Sequence, residues 1–88
     1  STIFNAIGCR VEVEKMIATG RIDMVMETIH IIYVLELKLS NNGGIDAAAE
    51  QIRSRQYAEP FKADKRRIVA LAIELDDKGK GLIDWKEV

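Results

Sequence analysis

The chain has 88 residues, 48% hydrophobic and 31% charged, with 13 Lys and Arg against 14 Asp and Glu for a net charge of −1. That describes one globular domain of thin stability margin, burying roughly 60–65% of the surface its unfolded chain exposes. A single cysteine, Cys9, excludes an internal disulfide and a single histidine, His30, argues against a zinc site. No apolar run reaches the ~18–20 residues that span a bilayer, no signal segment opens the chain, and near-neutral charge confines any nucleic-acid surface to a local patch.

Ser1 to Gly8 reads as the end of a helix, with Ile3, Phe4 and Ile7 at helical spacing and Gly8 as its stop. Residues 10–17 alternate, Val11 and Val13 against Glu12 and Glu14, as a half-buried strand does. Thr19-Gly20 is a turn, and residues 21–28 form a second strand with Ile22, Met24 and Met26 on one face. Residues 31–39 form a third; Ile31, Tyr33, Leu35, Leu37 and Leu39 make one face apolar throughout. Its other face begins with Ile32 and Val34 and turns polar at Glu36 and Lys38, which marks a central strand covered on both sides. Ser40-Asn41-Asn42-Gly43-Gly44 punctuates the chain; it lacks the lysine of a phosphate-binding loop and reads as a strand-to-helix turn. A helix follows over 45–57 with Ile45, Ala48, Ala49 and Ile52 as its buried stripe, bounded by Pro60. Residues 67–75 form a fourth strand, apolar on both faces, and residues 82–88 a short edge strand. Strands two and three, joined by a short link, should be antiparallel; strands three and four, flanking a helix, should be parallel. The order predicts a mixed-sheet α/β domain.

If Ile29-His30 is a two-residue turn, Glu27 pairs with Ile32, Val25 with Val34, Asp23 with Glu36 and Arg21 with Lys38. Directly opposed residues share a face, so Asp23, Glu36 and Lys38 converge at the far end of the hairpin. Two carboxylates about 5 Å apart beside an ammonium suit Mg²⁺ or Mn²⁺, hard ions that keep several waters. A metal-bound water, a neutralised phosphoryl group and a lysine to steady attack are the equipment of phosphodiester hydrolysis. The plain alternative is two exposed ion pairs, Arg21 with Asp23 and Glu36 with Lys38. Arg53, Arg55, Lys62, Lys65, Arg66 and Arg67 either contact a phosphate backbone or form a solvated face balanced by Glu50, Glu59 and Asp64. Cys9, His30 and Trp85 read as structural: a small buried thiol, a turn residue and a packing anchor.

Gly20-Arg21-Ile22-Asp23-Met24-Val25, Val34-Leu35-Glu36-Leu37-Lys38, Ala48-Ala49-Glu50-Gln51-Ile52 and Tyr57-Ala58-Glu59-Pro60-Phe61 together resemble the PD-(D/E)XK nuclease superfamily. The closest likeness is to the branch at the C-terminus of bacterial AAA-ATPase-like proteins, and it extends to Ile83-Asp84-Trp85-Lys86. The resemblance implies a restriction-endonuclease-like α/β core, α-β-β-β-α-β, with a mixed four- or five-stranded sheet. It implies that Asp23 and Glu36 bind the metal, with the Leu37 carbonyl completing the site, and that Lys38 is the catalytic lysine. Gln51 matches a glutamine that relatives place near the active site and substrate backbone. Tyr57 resembles the tyrosine of RecB-like relatives, though it follows the glutamine by six residues rather than four; a role in helix–sheet packing is the alternative. With Gln51 and Tyr57, Arg53 and Arg55 are the candidates for nucleic-acid contact. Many relatives carry a further acid on the first helix. Residues 1–8 contain none, and Glu12 and Glu14 are the candidate substitutes.

The resulting expectation is a single cytoplasmic nuclease domain over 1–88, cut from the C-terminal part of a longer chain with an ATPase-like domain. It would act on DNA or RNA with Mg²⁺ or Mn²⁺, away from membranes, and a homodimer would supply two sites for cutting a duplex. The alternative is a catalytically inactive module of the same fold that binds nucleic acid or protein.

Overall fold

The computed structural model describes residues 2–4, as backbone, and 8–88. Six strands form one sheet in chain order: β1 (Thr2–Phe4), β2 (Arg10–Ile17), β3 (Gly20–Glu27), β4 (Ile31–Leu39), β5 (Arg67–Leu75) and β6 (Leu82–Glu87). Among the described residues there is a single α-helix, α1 (Gly44–Ser54), between β4 and β5 in the chain. β4 and β5 pair in parallel, as a helical crossover allows; the other described neighbours are antiparallel. At 11 residues, α1 is not long and apolar enough to cross a membrane, and no other described helix is.

The helix expected over 1–8 is corrected by β1. Thr2, Ile3 and Phe4 are β-branched or aromatic, types that suit a pleated surface, and they pair with Glu12, Val11 and Arg10 along the outer edge of β2. Gly8, at φ +80°, lies in the link between β1 and β2 instead of stopping a helix. Ile7, the third residue of the expected helical spacing, lies outside the described residues. With β1 added, the sheet has six strands instead of four or five.

The β3–β4 hairpin adopts the predicted register, with Val25 opposite Val34 and Glu27 opposite Ile32. Thr28 closes the turn, its N–H donating to the Ile31 carbonyl at 2.8 Å. From β4, Ile32 and Val34 are fully buried, and they share a core with Ala48, Ala49 and Ile52 of α1 and Ala70 and Ala72 of β5. The alanines let helix and sheet approach closely, while each buried Ile or Val contributes about 1.5–3 kcal/mol. The same core contains Ile22 and Val25, three residues apart on β3. A regular strand sends such residues to opposite faces, so the pleat of β3 breaks between them. The break falls where Glu14, at φ +55°, and Asp23 drop out of the β2–β3 ladder.

Both ends of α1 are fixed by residues outside it. At the start, Glu74 of β5 accepts the Ile45 N–H at 2.9 Å and the Ser40 hydroxyl at 2.6 Å. Gly44 has φ +59°, and a Cβ there would sit 2.5 Å from the Glu74 carboxylate, so the glycine run is the strand-to-helix turn that the sequence indicates. At the other end the helix stops at Ser54 rather than Tyr57. Gln56 takes φ +50°; its N–H donates to the Arg53 carbonyl at 3.2 Å and the Tyr57 N–H to the Ile52 carbonyl at 3.3 Å. This is a Schellman ending with glutamine where glycine is usual, and it swings Tyr57 into the core beside Ile52. Trp85 is also corrected: it is 60% exposed, because β6 is an edge strand whose side chains lie mostly in solvent.

Candidate active site

The β3–β4 ladder ends at Met24 opposite Leu35. Beyond it the side chain of Asp23 replaces the missing strand contact: the Leu37 N–H donates to Asp23 Oδ2 at 2.9 Å. In an extended strand the N–H and C=O of one residue point to the same side, so the Leu37 carbonyl is also directed toward Asp23. Parting of the two strands opens a cleft of about 700 Å³ in which Asp23, Glu36, Leu37, Lys38 and Gln51 meet. The predicted convergence of Asp23, Glu36 and Lys38 is therefore present, although the ladder itself stops short of it.

Glu36 follows Val34 on the α1-facing side of β4 and is only 2% exposed. Its Oε1 accepts the Tyr57 hydroxyl at 2.6 Å and its Oε2 the Gln51 amide at 2.7 Å. The same Gln51 nitrogen reaches the Tyr57 oxygen at 2.9 Å, and that oxygen lies 2.8 Å from the Arg21 carbonyl. A phenol has one proton to donate, and the nearer acceptor is the carboxylate. Burial pushes the Glu36 carboxyl above its usual range, against the pull of the Tyr57 hydrogen bond, and the Asp23 charge pushes it further. Burial, then the bond to Glu36, pushes the Tyr57 phenol up to about 12. The nearest cations are Lys38, with Nζ 3.8 Å from Glu36 Oε2, and Arg21, with a guanidinium nitrogen 3.6 Å from Asp23 Oδ1.

The remaining candidates separate. Arg55 lines the cleft, its side chain lying over Gly20, where a Cβ would sit 3.1 Å from the guanidinium. Arg53 is exposed and outside the cleft. Lys62 is paired with Glu59 at 2.7 Å, Arg66 with Glu27 and Asp64 at 2.7 and 2.8 Å, and Arg67 with Glu87 at 3.6 Å. Much of the basic cluster is thus internally compensated, as in the solvated-face reading. Neither Glu12 nor Glu14 lines the cleft; Glu12 pairs with Arg10 and Lys15, Glu14 with Arg21. Met16 and Asn42 also line it: Met16 is next to last in a strand that reads as plain alternation, and Asn42 reads as turn chemistry.

Among the described residues no three His, Cys, Asp or Glu side chains cluster. The donor set at the hairpin is therefore two carboxylates and a backbone carbonyl. All are hard oxygens, suited to an ion that retains several waters. The hydrogen bond to each Glu36 oxygen leaves further lone-pair positions, since a carboxylate offers about four. The residues fit a divalent cation of the Mg²⁺ type.

A family model for the PD-(D/E)XK nuclease superfamily matches residues 2–85. No curated protein and no solved structure matches the chain. The match takes in every element from β1 to the middle of β6, with the mixed sheet and the hairpin cleft, and the chain belongs to that superfamily, with a restriction-endonuclease-like fold.

Proposed function

We propose that this member of the PD-(D/E)XK nuclease superfamily hydrolyses phosphodiester bonds of DNA or RNA, with Asp23, Glu36 and the Leu37 carbonyl holding Mg²⁺ or Mn²⁺. The observation that carries the reading is the cleft where the hairpin strands part, with both carboxylates and Lys38 in its lining. A divalent ion held there would lower the pKa of a bound water and neutralise phosphoryl charge. The chain's own residues divide the remaining work. Gln51 and Tyr57 fix both oxygens of Glu36 in place. Asp23 is oriented by the Leu37 N–H. Lys38, 22% exposed at its side chain and within 4 Å of Glu36, steadies the attacking water and the charge of the transition state. Arg21, Lys38 and Arg55 against Asp23 and Glu36 give the cleft one net positive charge without metal, in a chain of net charge −1. That local excess draws a phosphate backbone to the cleft.

The test is titration of Mg²⁺ or Mn²⁺ by calorimetry on wild type and Glu36→Ala, followed by a cleavage assay on DNA and RNA. Binding in the wild type, its loss in Glu36→Ala, and a fall in cleavage of more than about 10²-fold are expected, because even partners that only support a ligand cost 10–100-fold. Circular dichroism should show the variant folded, since it removes a buried acid. No binding in the wild type would favour the second reading, a noncatalytic nucleic-acid or protein-binding module. That reading draws on the presence of only two carboxylates at the site among the described residues.

A further inference from the structure

Beside the cleft lies a second cavity, of about 490 Å³, whose character differs. Met16, Ile17, Pro60 and Phe61 form apolar walls, and none of the proposed catalytic groups reaches it. Met16 is common to both cavities, and it is 73% exposed. A methionine left in solvent between two cavities is an adaptable, polarisable wall that packs well against a flat ring. The partition is held firmly: the Thr19 hydroxyl donates to the Arg55 carbonyl at 2.6 Å, tying the β2–β3 turn to the end of α1, and Gly20 lets the Arg55 side chain lie against the turn. Of the polar groups around the apolar cavity, Lys15 and Glu59 are already paired, with Glu12 at 3.5 Å and Lys62 at 2.7 Å. Gln56 is exposed and brings an amide with both donor and acceptor capacity.

We infer that this cavity receives an unpaired nucleobase of the substrate strand, while the neighbouring phosphate enters the cleft past Arg55. An apolar pocket with a few polar groups at its edge is the usual form of a small-molecule site. Unstacked bases are bound by flat apolar or aromatic contact together with hydrogen bonds to their edges. A base inside a duplex is stacked on both sides and cannot enter without being extruded. The cavity therefore selects single-stranded or frayed substrate. This inference deepens the nuclease reading and rests on it.

The test uses the three methionines of the chain. Methyl-labelled protein gives three methionine signals, and Met16→Ser identifies that of Met16. The probes are a single-stranded oligonucleotide, the matching duplex, and ribose 5-phosphate, which has the phosphate but no base. With Ca²⁺ present as an oxygen-seeking ion, the Met16 methyl is expected to move upfield with the single strand, by the ring current of a base, while Met24 and Met26 stay in place. Ribose 5-phosphate should leave it unmoved. By fluorescence anisotropy the wild type should prefer the single strand to the duplex, and Met16→Ser should weaken single-strand binding about fivefold or more, so that this preference shrinks. Binding of the single strand with no displacement of the Met16 methyl, or equal binding of both forms, would overturn the inference and leave the nuclease reading standing. Absence of binding to either form would remove the reading beneath it.

Discussion

Glu27 and Glu36 sit near opposite ends of the β3–β4 hairpin, and their surroundings handle their charges differently. Glu27 is met by guanidinium groups, Arg66 at 2.7 Å and Arg10 at 3.2 Å, and Arg66 also grips Asp64. Glu36 is met at hydrogen-bonding distance by neutral donors, Tyr57 and Gln51, with Lys38 at 3.8 Å. A carboxylate saturated by arginine has its charge compensated within the chain and serves to hold elements together. One held by neutral donors is oriented but not neutralised, and burial makes its charge costly. The first arrangement closes the sheet against the loop before β5. The second leaves negative charge in the cleft without a matching guanidinium, which is the condition that the proposed metal site requires.

The largest effects, after loss of Glu36 itself, should come from its neutral donors. Tyr57→Phe and Gln51→Leu each remove one bond that orients Glu36, and each should weaken divalent-ion affinity by about 10–100-fold, the usual cost of losing a group that supports a ligand. Calorimetry reads this directly. Tyr57→Phe keeps the ring in the core, so its thermal unfolding should stay cooperative; unchanged affinity in both variants would show that Glu36 needs no orientation.

The next effect is on stability and has a defined sign. The Tyr57 phenol lies at about 12 in the fold against 10.0 without it. The unfolded chain therefore loses this proton first as pH rises, and stability is fully present below pH 10 and lost as pH approaches 12. A two-unit difference corresponds to about 2–3 kcal/mol. Denaturant melts of metal-free protein from pH 9 to 12 should show this decline, and Tyr57→Phe should lack it. A wild type and a variant with the same alkaline limb would place the phenol outside the buried network.

The hairpin end with the two acids and the lysine was legible because alternation fixes the faces of a strand and a two-residue turn fixes its register. Val25 opposite Val34 then followed, and Asp23, Glu36 and Lys38 came together. Less legible was what departs from local rules. The segment of β1 reads as helix because three apolar residues at helical spacing outweigh the β-branched character of Thr2 and Ile3. The position of Tyr57 depended on a Schellman ending built with Gln56, a residue that gives no such signal in sequence. Glu74, which caps α1 from β5, lies inside an apolar strand pattern, and only the parallel pairing of β4 and β5 brings it to the helix start. The break in β3 that admits both Ile22 and Val25 to the core likewise depends on Glu14 across the ladder, where strict alternation predicts none.

The smallest effect sharpens the comparison from the compensated end. Hydrogen bonds from Arg66 hold the Asp64 carboxyl at about 2, below its ordinary 3.8. A depressed carboxylate stabilises the fold above its unfolded value, and this contribution fades as pH falls through about 2. Arg66→Gln removes the cation that Asp64 and Glu27 share, so the acid unfolding midpoint should rise and the thermal midpoint at neutral pH should fall slightly, these groups being partly open to solvent. Divalent-ion affinity should stay at the wild-type value, because Arg66 touches neither Asp23 nor Glu36. A change in that affinity would mean that the two ends of the hairpin are coupled through β3, and that compensating charge at one end sets the geometry of the acids at the other.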